Sequence, residues 1–164
     1  MQEKVKHYIK EVLSERRPEF SGKAVCPFAR PELESNKLMI AEVGEKGLSQ
    51  LIEDFEKSNF ESAVFIIKED IPADQTKQFQ VFVNKLLKFK GLKQYKNICF
   101  NPNDDVAVEG YNPRSLSPYF MVNVAHRKVL NRASKTLHKT NYYDNLPEEY
   151  LSFLQLDRRK KNAN

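Results

Sequence analysis

Leu38-Met39-Ile40-Ala41-Glu42-Val43, then Ser49 to Ser58, then Ala63-Val64-Phe65-Ile66-Ile67, is the stretch whose reading decides the fold. The outer segments are short apolar runs rich in branched side chains, the pattern of buried strands. Between them Leu51, Ile52 and Phe55 recur at helical spacing and predict a helix with those residues inward. The alternation continues downstream. A longer helix is expected from Pro72-Ala73-Asp74, where proline suits the first turn and an acid favours the positive end of the helix dipole. It should bury Phe79, Phe82, Val83, Leu86 and Leu87 and stop at Gly91. Asn97-Ile98-Cys99-Phe100 reads as a third strand, and Asn101-Pro102-Asn103-Asp104-Asp105 as turn chemistry opening a long loop to Pro118.

Tyr119-Phe120-Met121-Val122-Asn123-Val124 is a fourth strand candidate that runs through Ala125-His126-Arg127 into a helix carrying Val129, Leu130, Ala133 and Leu137. A short last helix from Pro147 to Leu156 packs Tyr150, Leu151, Phe153 and Leu154. Upstream, Val5, Ile9, Val12 and Leu13 share one side of an amphipathic helix that ends near Arg17-Pro18, because proline disfavours helical geometry in the residue before it. The segment from Glu19 to Glu34 carries Gly22, Pro27 and Pro31 and is expected to be largely irregular. These elements imply an α/β or α+β sandwich with a sheet of three to five strands flanked by helices and an N-terminal amphipathic helix. Residues 1–156 are expected to form one domain and 157–164 a basic tail.

The 164 residues carry 27 Lys and Arg against 22 Asp and Glu, a formal net charge of +5, with 40% hydrophobic residues. That composition supports a packed core and excludes wholesale disorder. The apolar runs are too short to span a membrane and Met1-Gln2-Glu3-Lys4-Val5-Lys6 lacks the apolar stretch of a secretory signal, so no membrane partner and a cytoplasmic location are expected. Two cysteines, Cys26 and Cys99, cannot build a disulfide framework. With five glycines in the chain, neither a phosphate-binding loop nor a dinucleotide fingerprint can be written on it. The one cationic block is Arg158-Arg159-Lys160-Lys161, and nothing beside it supplies base readout, which argues against a nucleic-acid partner.

Three places carry candidate chemistry. In Val25-Cys26-Pro27-Phe28-Ala29-Arg30-Pro31 the proline holds the cysteine in extended geometry, so the sulfur is either presented to a ligand or metal, or buried as a small hydrophobe in a kinked loop. Cys99, inside an apolar strand, reads as core. In Tyr111-Asn112-Pro113-Arg114-Ser115-Leu116-Ser117-Pro118-Tyr119, Arg114, Ser117 and the tyrosines either clamp an anionic group or serve a turn. His126, at a strand-to-helix junction, is either structural or a single axial ligand to haem iron. The three histidines, His7, His126 and His138, lie at no zinc spacing.

Cys26-Pro27-Phe28-Ala29, with Ser117-Pro118-Tyr119 entering the late strand, resembles a group of small bacterial proteins with a Cys-Pro-Phe-Ala signature and a later Ser-Pro-Tyr-Pro segment. More distantly the chain is similar to the YcgG-type proteins, some of which are haem-dependent enzymes that hydroxylate nitrogen on guanidino or amino compounds. Phe120-Met121-Val122-Asn123-Val124-Ala125-His126-Arg127, with Arg132 and Ser134 after it, looks like their late segment. The chain differs in reading Cys-Pro-Phe where the oxygenases tend to read Phe-Pro-Cys, and Phe120 where the smaller proteins have proline.

Two functions follow as expectations. The first is a small haem-binding oxygenase. The resemblance implies the haem, and the location of His126 makes it the iron ligand, with Cys26 the alternative. Arg30 or Arg114 would pair with the propionates, and Ser117 and Asn123 would complete the cofactor site. Cys26, Arg30, Tyr119 and Arg127 are the candidate catalytic residues, a small nitrogenous metabolite the substrate, and the electron donor is unspecified. The second is a non-catalytic binding domain whose basic surface meets an acidic partner. The sequence fixes no oligomeric state.

Overall fold

The structure, a computed structural model, describes residues 1–153. Helix α1 (Gln2–Tyr8) runs into a π-helical segment (Ile9–Leu13) and closes at Ser14, whose hydroxyl donates to the Ile9 carbonyl (2.7 Å). The helix therefore stops short of the expected Arg17-Pro18. Arg16–Arg17 is instead strand β1, paired antiparallel with β2 (Lys23–Ala24) around a tight turn at Pro18–Phe20.

The expected irregular segment also contains α2 (Ala29–Glu34). Pro31 does not prevent it, because a proline in the first turn removes only an N–H that has no intrahelical partner. Then follow β3 (Leu38–Glu42), α3 (Leu48–Glu56), β4 (Ser62–Ile67), α4 (Thr76–Phe89), β5 (Tyr95–Phe100), β6 (Phe120–His126), α5 (Arg127–His138) and α6 (Glu148–Phe153).

The main sheet has the order β3-β4-β6-β5. Strands β3 and β4 are parallel, and β6 inserts between β4 and β5, antiparallel to both. All six residues of β4 are buried, as in a central strand covered on both faces. The architecture is a mixed α/β layer structure with helices flanking a four-stranded sheet, as the alternation implied.

Each face has its own core. Against one, α3 and α4 pack Leu51, Ile52, Phe55, Val83 and Leu87 onto Ala63, Phe65, Ile67, Val122 and Val124. Cys99 joins this layer as expected, and burial pushes its thiol up to about 12. Against the other, α1, the hairpin, the loop before β6 and the C-terminal helices pack Val5, Tyr8, Phe20, Leu137, Tyr142 and Tyr150 onto Val64, Ile66 and Met121.

Helix α4 ends at Gly91, whose φ of +75° supplies the left-handed turn and lets the Leu92 N–H donate back to the Leu87 carbonyl (2.8 Å). One expected core residue of α4 is misplaced. Phe82 is 53% exposed, because α4 turns Gln80 and Asn84 toward edge strand β5. There the Gln80 side chain accepts the Cys99 N–H (3.2 Å) and Asn84 accepts from Asn97 (2.7 Å), which covers the edge at the cost of facing Phe82 outward. In α5, Leu137 is buried, but Val129, Leu130 and Ala133 are only half-buried. Tyr150 and Leu151 of α6 are buried, while the expected packing of Phe153 and Leu154 and the tail at 157–164 lie outside the described side chains.

Candidate functional site

The Cys26 loop is fixed by its backbone. The Cys26 N–H donates to the Leu13 carbonyl at the end of the first helix (2.8 Å), and the Tyr142 hydroxyl donates to the Val25 carbonyl. Cys26 is half-buried as a residue, but its sulfur is enclosed, and that burial pushes the thiol above its ordinary value. The backbone N–H groups of Phe28 and Ala29 pull the other way, and the Glu32 carboxylate adds to the rise. A raised thiol ionises less readily than a free one, the opposite of the shift that activates a nucleophile.

The Arg114 loop is closed by internal contacts. Val108 and Tyr111 exchange backbone hydrogen bonds across a turn at Glu109-Gly110, where Gly110 takes φ +84°. The Asn112 side chain accepts the Arg114 and Ser115 N–H groups (3.0 and 3.2 Å). Arg114 itself is 2% exposed, with Nη1 3.0 Å from Asp104 Oδ2 and its guanidinium 5.5 Å from the centre of the Tyr150 ring. Burial lowers its pKa, and Asp104 opposes that shift. Ser117 is buried and donates to the Tyr119 carbonyl (2.6 Å), and the Tyr119 ring lies 6.0 Å below the Lys4 ammonium. Of the two readings of this loop, its hydrogen bonds match the turn.

The two proline loops border the same core and are bridged by aromatic side chains. Tyr8 donates from its hydroxyl to the Pro113 carbonyl (2.7 Å), and both Tyr8 and Tyr150 lie within electrostatic reach of Cys26 and Arg114. The space between the loops is filled by aromatic rings. Phe20 packs against Tyr142 and Tyr150 with centroids 5.8 and 5.7 Å apart, and burial raises the hydroxyls of Tyr8, Tyr142 and Tyr150 well above the ordinary phenol value.

His126 is elsewhere. It ends β6, six residues after Phe120, so about 20 Å of strand separates it from the Arg114 loop. Its side chain also points to the opposite face, edge-on to Tyr95 (centroids 5.3 Å), and its Nδ1 accepts the Lys128 N–H (3.1 Å) as the N-cap of α5. The other candidates are likewise committed. Asn123 donates to the Ala63 carbonyl (3.1 Å), and Arg127 donates to the Lys93 carbonyl (2.8 Å). Arg30 is exposed and pairs with Glu34 one turn on (2.6 Å). Among the described residues no three His, Cys, Asp or Glu side chains gather as a metal site. The residues expected to hold a haem therefore do not fit that group: the imidazole is on the opposite face of the sheet from Cys26 and Arg114, and at the opposite end of β6 from the Arg114 loop.

Two features escaped the sequence reading. Ser62, 1% exposed at the start of β4, donates to Glu32 of α2 (2.5 Å), and burial raises the Glu32 carboxyl despite that hydrogen bond. The second is a groove of about 440 Å³ along α5, lined by Lys128, Asn131, Arg132, Lys135, Thr136 and Lys139. These positions follow one another at helical spacing, a pattern that the sequence carries on the polar side of the helix. Of its four cations, Arg132 lies 3.9 Å from Glu61, and Lys128, Lys135 and Lys139 have no carboxylate within ion-pair distance among the described residues.

No protein-family model matches the chain, and no curated protein or solved structure matches it. The likeness to the Cys-Pro-Phe-Ala proteins and the YcgG-type oxygenases rests on the short motifs alone. Among the described residues no helix is long and apolar enough to cross a membrane.

Proposed function

We propose that the chain is a cytoplasmic, non-catalytic binding module that holds an acidic segment of a partner protein along α5. The observation that carries this reading is the stripe Lys128, Arg132, Lys135 and Lys139, four cations with Asn131 and Thr136 between them and no carboxylate among the residues lining the groove. Like charges held this close on one helix side repel one another, and an anionic partner relieves the repulsion. The stripe rises about 16 Å along the helix, in steps of about 5–6 Å. A partner helix with carboxylates at i, i+4, i+7 and i+11 presents the same repeat. No aromatic side chain lines the groove to stack on a base, which favours a protein over a nucleic acid. A haem-dependent oxygenase of a nitrogenous metabolite has less support, because its ligand, propionate partners and substrate loop are divided between two faces of the sheet.

Fluorescence anisotropy with a labelled all-polar helical peptide bearing glutamates at that spacing tests the reading. Binding should weaken between 50 and 200 mM salt, and K135E/K139E should weaken it at least tenfold. Equal affinity for the glutamine version of the peptide, no effect of the charge reversal, or tighter binding of a single-stranded RNA of equal charge would overturn it.

A further inference from the structure

The side of α4 turned away from the sheet carries large apolar side chains open to solvent. Val81, Phe82 and Phe89 are 45%, 53% and 89% exposed, three of the four large apolar side chains open to solvent among the described residues. Isolated exposed hydrophobes need no explanation, but these fall within little more than two turns of one helix. Phe82 and Phe89 are seven residues apart, which places them on the same side about 10 Å from one another. Lys77, Gln78, Lys85 and Lys88 are the other exposed residues of the same side. No carboxylate interrupts it, and Lys90, just beyond, turns away to pair with Glu53.

We propose that this side of α4 is a docking surface for an acidic amphipathic helix of a partner protein, separate from the α5 groove. The two aromatic rings supply anchors of the kind that dominate helix-in-groove recognition when they become desolvated. The lysines around them select for carboxylates flanking the partner's apolar stripe.

A second copy of this chain fits less well. In a two-fold antiparallel pairing that sets Phe82 against Phe89 of the other copy, the symmetry axis passes near Lys85, which then faces its own like charge. The surface is also independent of the α5 stripe. Val83 and Leu87 anchor α4 to one face of the sheet, while Leu137 anchors α5 in the core of the other.

The test uses a labelled synthetic helix with leucines at i, i+3 and i+7 flanked by glutamates, titrated into the full chain, with backbone amide shifts mapped by NMR. The expected result is perturbation centred on residues 77–89, binding at least tenfold weaker in F82A/F89A and at least fivefold weaker in K85E/K88E, and no effect of K135E/K139E. Both phenylalanines are exposed, so their removal leaves the fold in place, as unchanged far-UV circular dichroism would verify. Shifts that map elsewhere, or affinity unchanged in F82A/F89A, would overturn the proposal. So would equal binding of a version with lysine flanks. Cosedimentation with phosphatidylserine vesicles that depends on Phe82 and Phe89, without peptide binding, would reassign the surface to a membrane and equally overturn it. Concentration-dependent dimerisation lost in F89A would do the same in favour of self-association.

Discussion

On one face of the sheet Tyr142 and Tyr150 pack against Phe20, with Tyr8, Tyr143 and the buried Arg114–Asp104 pair on the same side, whereas on the other Leu51, Ile52, Phe55, Val83 and Leu87 close an aliphatic and phenylalanine-rich layer. The difference follows from what covers each face. Helices α3 and α4 satisfy their own backbone groups, so apolar side chains suffice to join them to the strands. The first face is covered by α1, α5 and α6 together with the hairpin and the proline loops, and the carbonyls of that irregular chain need donors. Tyrosine meets that need, since its ring fills the core while its hydroxyl donates: Tyr8 to the carbonyl of Pro113, Tyr142 to that of Val25. The proline loops that looked like a catalytic site are therefore held shut by the aromatic residues around them.

The largest break in this contrast comes from Arg114. Arg114→Ala leaves Asp104, with its side chain 10% exposed, as an uncompensated buried charge, and should cost about 3–5 kcal/mol by urea denaturation. Replacing the pair together by apolar residues of similar volume, R114M/D104L, should recover most of that loss. If the double variant stays as unstable as Arg114→Ala, the pair does more than neutralise itself, and an anion-binding role for the loop returns.

A smaller effect is expected at the other end of β6. His126→Ala removes the acceptor for the Lys128 N–H and should cost about 0.5–2 kcal/mol, as loss of an N-cap does, while His126→Asn, which keeps an acceptor there, should restore most of it. The same variant separates capping from haem ligation. After growth with added haem, the visible spectra of His126→Ala and the parent chain should coincide; a Soret band present only in the parent would revive the iron-ligand reading.

The alternation of apolar runs was enough to read the four strands and the helices between them, because each is a local pattern with its own period. Three things were not local. Phe82 faces out because Gln80 and Asn84 are drawn to edge strand β5, a demand set by a sheet order that places β6 between β4 and β5. Helix α2 forms despite Pro27 and Pro31 because it begins just before the second of them. The separation of His126 from Arg114 depends on strand direction, and its separation from Cys26 on which face an alternating residue takes, and the linear order of motifs carries neither. Cys26 and Arg114 sit in loops held by backbone and side-chain hydrogen bonds.

The finest test of the contrast is alkaline pH. Burial raises the Tyr8 hydroxyl well above the ordinary value of 10.0, with Tyr150, Tyr111 and Cys26 adding to the rise and Arg114 opposing it. In the unfolded chain the phenol ionises near that ordinary value, so the folded state binds its proton more tightly. The stability this contributes is fully present below pH about 10 and is lost as pH climbs toward the folded-state pKa. Tyr8→Phe should cost about 1 kcal/mol at neutral pH, the worth of the bond to the Pro113 carbonyl. It should also make the loss of stability above pH 10 shallower, so that the two chains converge as the solution becomes more alkaline. Leu87→Ala, in the aliphatic layer, should cost about 2–5 kcal/mol with the alkaline slope left as it was. Parallel curves for Tyr8→Phe and the parent would mean that the Tyr8 hydroxyl reaches water before the fold opens, and that the tyrosine face is looser than its packing implies.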